Sequence, residues 1–363
     1  MMRINGNIFA RGGDRVSPHL SRRILFTSFT LMLLFWLFGA SQACAELTTN
    51  GEVAGLRAQF LDVNGIHTRY YEMGEGEPMV LVHGEGWSGH SSANVWSKDI
   101  PLFAMRFHVF APDKIGSGMT DNPKDDNDLN IQGEVDHVYD FIRVMKLGMV
   151  HLIGQGRGGG CVFFLALQHP EIVRDLVIVD SDTAAPEGAA KPEQGLSNCP
   201  KEPDWEAWKC RIRAISYMPD DAFDDEYFIA GKYMSLLPKS QETAAKLKAG
   251  AGGELATAQG FNQWKTDWYE RIRKEGVLQM PVLIYWGRND PVSPVANGQD
   301  LHERIAQQNP RVRMITVEKA GHFLFREDPD AFVKNVTEFI DYWAAHPDDT
   351  QISANPNPSD QAH

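Results

Sequence analysis

Eight short apolar runs, each closed by turn residues, alternate with stretches of helical period through most of the chain. This rhythm restricts the fold more than any other feature. Runs that are apolar at nearly every position are strands covered on both faces, so they predict a mostly parallel sheet with helices on either side, an α/β architecture. The predicted strands are 58–63, 66–73, 78–82, 107–111, 150–153, 176–180, 281–286 and 312–317. Asn64-Gly65 between the first two supplies a tight hairpin turn. Helices are expected at about 131–145, 158–169, 296–308 and 328–345.

The rhythm breaks once, between Thr183 and Leu278, where amphipathic stretches such as 205–217, 224–237 and 259–274 follow one another without a strand. The expectation is a core made of 46–182 and 279–345 with a helical cap, 183–278, inserted between its halves. Cap aromatics such as Trp208, Tyr227, Phe228 and Trp264 could line an apolar pocket, although packing of cap against sheet is the commoner fate of such residues. The last segment, 346–363, is rich in Pro, Asn, Asp and Ser and is expected to be disordered.

Residues 1–45 differ in character. Arg3, Arg11, Arg22 and Arg23 precede an apolar run from Ile24 to Phe38, and Ala43-Cys44-Ala45 follows, which is the pattern of a signal peptide with a small-x-small cleavage site. The run is short for a bilayer span of about 20 residues. Export to the periplasm or beyond is therefore expected, with no membrane attachment once the signal is removed. In an oxidising compartment, Cys199 and Cys210 are predicted to form a disulfide, whereas Cys161 reads as a small apolar helix residue. No cysteine has metal-ligand spacing. A formal net charge of -13 leaves no basic excess to neutralise phosphates, which argues against nucleic acid as a partner and for a small-molecule substrate or ligand.

The stretch Val150-His151-Leu152-Ile153-Gly154-Gln155-Gly156-Arg157-Gly158-Gly159 runs from a strand through a glycine turn into a helix, and it supports two readings. Gly154-x-Gly156-x-x-Gly159 matches a dinucleotide fingerprint, with Asp180 near the place of the ribose acid, so a nicotinamide- or flavin-dependent oxidoreductase has to be weighed. The same residues match the nucleophile elbow Gly-x-Ser-x-Gly, with Gly156 in the serine slot. Context favours the elbow, because several strands precede the motif and a long insertion follows Asp180.

The flanking segments carry a family resemblance. Leu81-Val82-His83-Gly84-Glu85 resembles the His-Gly turn after the third strand of α/β-hydrolases, and Pro112-Asp113-Lys114-Ile115-Gly116-Ser117-Gly118 resembles their Pro-Asp-x-x-Gly-x-Gly segment. Trp286-Gly287-Arg288-Asn289-Asp290 resembles the strand end with the triad acid, and Ala320-Gly321-His322 the loop with the triad histidine. The order elbow, acid, histidine is the order of that fold. The resemblance is closest to capped members: carbon-carbon hydrolases of ring-cleavage products, haloalkane dehalogenases and epoxide hydrolases.

By that resemblance, His322 is the base, Asp290 its orienter, and the backbone N–H groups of Glu85 and Arg157 the oxyanion donors. Trp87, Ser88 and His90 are candidates for the substrate pocket. Gly156 has no side chain with which to attack, so a covalent intermediate there is excluded. What remains is water activated by His322, with no metal or organic cofactor, acting on a small apolar or aromatic ester or diketone. The alternatives are a scaffold that has lost catalysis and binds a ligand or partner, and a relocated nucleophile at Ser88, Ser181 or Cys161.

Overall fold

The computed structural model describes residues 49–186, 198–202, 204–347 and 349. The expected signal peptide, residues 187–197 of the insertion and most of the expected tail lie outside the described residues.

Eight strands form one sheet: β1 (Ala58–Val63), β2 (Ile66–Met73), β3 (Pro78–Val82), β4 (His108–Pro112), β5 (Val150–Gln155), β6 (Val173–Val179), β7 (Val282–Gly287) and β8 (Val312–Val317), in the order β1-β2-β4-β3-β5-β6-β7-β8. β1 and β2 pair as an antiparallel hairpin whose turn residues, Asn64 and Gly65, both have positive φ. β2 is antiparallel to β4, and every later pair is parallel. All residues of β5 and β7 are buried, which is the physical origin of their unbroken apolar character.

Most strand limits fall within two residues of expectation, with β6 the exception. It begins at Val173 because Asp175, which reads as a loop residue, is buried inside the sheet with its carboxylate 2.6 Å from His151 Nδ1 on β5. One face of the sheet packs Leu81, Ile153, Val177 and Leu283 beneath Trp96, Phe332 and Trp343, and the other packs Val80, Leu152, Ile178 and Ile284 beneath Phe141, Phe163 and Leu301.

Between β6 and β7 the chain forms the helices Asp204–Ile215, Asp225–Ser235, Pro238–Lys248 and Ala258–Glu275, with no strand among the described residues. The third of these escapes the sequence reading because its alanines, lysines and glutamines carry little apolar periodicity, although Pro238 is in place to start a helix. Cys199 and Cys210 form a disulfide, which ties the described stretch 198–202 to the first of these helices. Most aromatics of the segment serve packing. Trp208 stacks on His90 and meets Tyr227 and Phe228, while Trp264 lies against Phe164.

The helix Arg157–Gln168 comes down on the sheet more closely than a side chain would permit. A Cβ on Gly158 would lie 2.4 Å from the Val82 carbonyl oxygen and 2.3 Å from that of His83. Neither backbone oxygen can move away without breaking β3. Gly158→Ala is therefore expected to cost about 3 kcal/mol, the upper end for overpacking, in urea unfolding. A loss near zero would mean that this contact is looser than described.

Candidate active site

β5 ends at Gln155, and Gly156 turns the chain with φ 54° and ψ −122°, a region that residues with a side chain rarely adopt. Its N–H donates to the Val179 carbonyl on β6, and its own carbonyl accepts from Ser181 Oγ at 2.5 Å. The helix begins at the next residue. The other glycines of the motif are explained by packing: a Cβ on Gly154 would meet the Gly158 carbonyl at 2.3 Å, and one on Gly159 would meet Ser181 at 2.5 Å.

Asp180 is wholly buried and accepts the Gly287 N–H at 2.8 Å. No ribose can reach it, which removes the dinucleotide reading. Burial, reinforced by the neighbouring Asp290 carboxylate, holds the Asp180 carboxyl well above its ordinary range.

His322 faces the elbow. A Cβ on Gly156 would lie 3.3 Å from His322 Nε2 and 3.7 Å from Gly84 Cα. On its other side, His322 Nδ1 lies 2.6 Å from Asp290 Oδ2, and Asp290 Oδ1 accepts the N–H groups of Val292 and Ser293. The imidazole is 14% exposed and the Asp290 carboxylate is fully buried. Burial works against the charged imidazole, but the charge and hydrogen bond of Asp290, with Glu85 and Asp182 behind them, outweigh it and raise His322 above its ordinary 6.5.

Residues beyond the predicted set hold this histidine in place. The His322 N–H donates to the Ile215 carbonyl at the end of a helix of the inserted segment, and the His322 carbonyl accepts from Gln155 Nε2 at 3.1 Å. Glu327 accepts the N–H groups of Gly321 and Tyr217, joining the histidine loop to the same insertion. Nothing in a single sequence distinguishes Gln155 or Glu327 from ordinary polar residues, since their partners are more than 100 positions away or are backbone groups.

The loop after β3 is anchored from below. His83 is buried; the Lys114 N–H donates to its Nε2, which leaves Nδ1–H for the Gly84 carbonyl. The Lys114 ammonium, also fully buried, donates to the Glu85 carbonyl at 2.7 Å and lies 3.3 Å from Glu134, whose carboxylate in turn accepts from Arg157 Nε at 2.9 Å. This chain of charges connects the Glu85 loop to the first residue of the elbow helix. Among the described residues, neither the Glu85 N–H nor the Arg157 N–H donates to a protein group.

Next to Gln155 lies a small cavity with room for about one water, open to solvent and lined in part by Gly84, Glu85, Ser91, Ser92, Tyr227 and Phe323. Trp87, Ser88 and His90 are not among the residues that line it. Trp87 packs on Gly116, Ser88 offers its carbonyl to the N–H groups of Ser91 and Gly118, and His90 is buried against Trp208. Ser91 and Ser92 take the places expected of them.

The candidate replacement nucleophiles are no better placed. Ser181 Oγ is spent on the Gly156 carbonyl, and burial, with Glu134 next in effect, raises the Cys161 thiol far above its ordinary value. Among the described residues no cluster of His, Cys, Asp or Glu has the arrangement to hold a metal ion, and no helix is long and apolar enough to cross a membrane.

A strand-turn-helix elbow facing a histidine, itself gripped by an aspartate from the end of a neighbouring strand, is the arrangement of an α/β-hydrolase site. Residues 77–329 match the family model of the alpha/beta hydrolase fold, and the chain belongs to that family. The 2-hydroxymuconate semialdehyde hydrolase of Pseudomonas sp. (strain CF600) is 35% identical over 281 residues, 76% of this chain and 91% of that protein. The 2-hydroxy-6-oxo-6-(2'-aminophenyl)hexa-2,4-dienoic acid hydrolase of Metapseudomonas resinovorans is 26% identical over 286 residues, 78% of this chain and 90% of its own. Among solved structures, the 2-hydroxy-6-oxo-6-phenylhexa-2,4-dienoate hydrolase of Rhodococcus sp. strain RHA1 shares the fold with a TM-score of 0.64 at 19% identity, covering 79% of this chain and 99% of that one. The class these relatives carry, hydrolase, is the class expected from the sequence.

The His322 charge balance can be read directly by NMR titration. In the intact protein its imidazole should titrate above 6.5. In Asp290→Asn the burial penalty stays while the largest opposing charge is lost, so the midpoint should fall. An unchanged midpoint would show that Asp290 does not govern this histidine.

Proposed function

We propose that this chain is an exported hydrolase in which Gly156 stands at the family's nucleophile position and a water molecule, activated by His322, replaces the covalent step. The observation that carries this reading is the space at Gly156. A side chain there would point at His322 Nε2 from 3.3 Å, so a water in that space has the base within reach.

In the proposed reaction, Asp290 holds His322 through its Nδ1–H, leaving Nε2 to take a proton from water as the oxygen adds to a substrate carbonyl. The negative oxygen that forms is received by the N–H groups of Glu85 and Arg157. His322 then gives its proton to the leaving group as the tetrahedral intermediate collapses, releasing acid and leaving group with the imidazole restored. Because no acyl-enzyme lowers the barrier in two stages, a small activated ester or a vinylogous diketone suits the site better than an amide. The relatives named above, hydrolases of a semialdehyde and of dienoic acids, support a conjugated carbonyl substrate. The leader sequence supports export.

The purified protein should hydrolyse members of a panel of activated esters and diketones, with a rate that rises with pH through the His322 midpoint because only neutral imidazole accepts the proton. His322→Ala should lower kcat/KM by roughly 10³-fold, in the range for loss of a general base. A serine-directed phosphonate should leave the natural protein unlabelled and label Gly156→Ser. A phosphonate adduct on the natural protein would overturn the mechanism, and inertness across the panel combined with tight ligand binding would make the chain a binding protein.

A further inference from the structure

Glu85 is the only residue with a formally charged side chain on the cavity wall. The other polar groups there are neutral: the serines, Gln155, and His83, which burial keeps uncharged. Among the described residues the Glu85 carboxylate has neither a hydrogen bond nor an ion pair, and its charge is felt by His322, His90 and Tyr227, groups on the cavity and insertion side of the loop.

The cations nearby are committed elsewhere. Lys114 is engaged by the Glu85 carbonyl and Glu134, and Arg157 Nε by Glu134. Arg326 lies over the Tyr227 ring at 4.9 Å but is buried, and its guanidinium donates to the carbonyls of Ala222, Asn94 and Val95 and to Ser97 Oγ.

The backbone bears on the same point. Glu85 has φ 47° and Trp87 φ 40°, left-handed values uncommon for residues other than glycine. Such conformations persist where surrounding structure imposes them. Here the buried Lys114 ammonium grips the Glu85 carbonyl and holds the loop backbone in place at this residue.

A carboxylate without a protein partner, on the wall of a cavity that Tyr227 and Phe323 also line, favours a cation by charge, with aromatic rings close by. We propose that Glu85 is the substrate-recognition group of this site and that the substrate is a small ester bearing an ammonium group. The inference rests on the hydrolytic reading above and narrows it. A dienoate of the kind named for the relatives would bring a second carboxylate against Glu85, which the cavity disfavours.

The purified protein and Glu85→Gln can be compared on three thioesters whose released thiol is followed by colour: acetylthiocholine, its uncharged isostere S-(3,3-dimethylbutyl) thioacetate, and the anionic S-acetyl-3-mercaptopropionate. The natural protein should favour the cation over the isostere by about tenfold or more in kcat/KM, and the variant should reduce that ratio to roughly threefold or less. A ratio near one in the natural protein, or the same ratio in both proteins, would overturn the assignment. Calorimetry with tetramethylammonium separates this inference from the catalytic reading. If the protein is inert on these thioesters and across the wider panel of esters and diketones, the hydrolytic reading fails, yet saturable binding of tetramethylammonium that weakens about tenfold or more in Glu85→Gln still supports cation recognition. Absence of that binding overturns it.

Discussion

The contact between the Gly158 backbone and the carbonyl groups at the end of β3 is the constraint from which the site follows. Because no side chain intervenes, the helix Arg157–Gln168 settles closely on the end of β3, in the middle of the sheet, and its first residue comes beside the loop 84–86. The same descent forces Gly156 into its sharp turn, which is then held by Val179 and Ser181 and not by anything a substrate would touch. Loop and helix, from two distant parts of the chain, thus become neighbours, and the Lys114, Glu134 and Arg157 charges link them. The histidine loop meets this arrangement from the far side, carried on β8 and fastened to the inserted segment through Ile215 and Glu327.

Beneath the loops lies a second layer of order made of buried charges. Arg69 and Asp113 form a fully buried pair, with Asp113 also accepting the N–H groups of Ala93 and Met119 and Arg69 donating to Gly51, Tyr71 and Asn94. Lys114, Glu134 and Arg157 do the same under the other loop. Buried ions are tolerated only when their hydrogen-bonding capacity is largely filled. Filling it requires backbone groups from several segments at once, so the shape of the loops and the survival of the charges depend on each other. This explains how loops rich in glycine and serine hold fixed positions.

Much of this was legible in the sequence, and the reason is periodicity. Strands buried on both faces announce themselves as apolar runs, and the elbow, Asp290 and His322 each sit at the end of such a run in a fixed order. Legibility failed where a polar residue is buried by a partner that only folding supplies. Asp175 hid the start of β6 because its histidine lies on another strand, and nothing in the sequence marks Lys114 as buried, since its partner Glu134 comes from a helix 20 residues away. The wall of the cavity is illegible for another reason. Which of Trp87, Ser88, His90, Ser91 and Ser92 faces the cavity depends on two left-handed residues in the loop, and composition does not encode a loop's direction.

The hydrogen bonds that fix the turn at residue 156 come from its neighbours and involve only its backbone, and this bears on how such a site can change. A serine there would have to hold a conformation that L-residues avoid, whereas glycine adopts it at little cost. Glycine at 156 therefore holds the turn at lower cost than a residue with a Cβ would, and the hydrogen bonds of the turn do not depend on which of them is present. Position 156 is a point at which stability and nucleophilic power trade against each other, with no other part of the fold obliged to follow. Exchange of this one residue would change the strain in the turn while leaving its backbone hydrogen bonds to Val179 and Ser181 available.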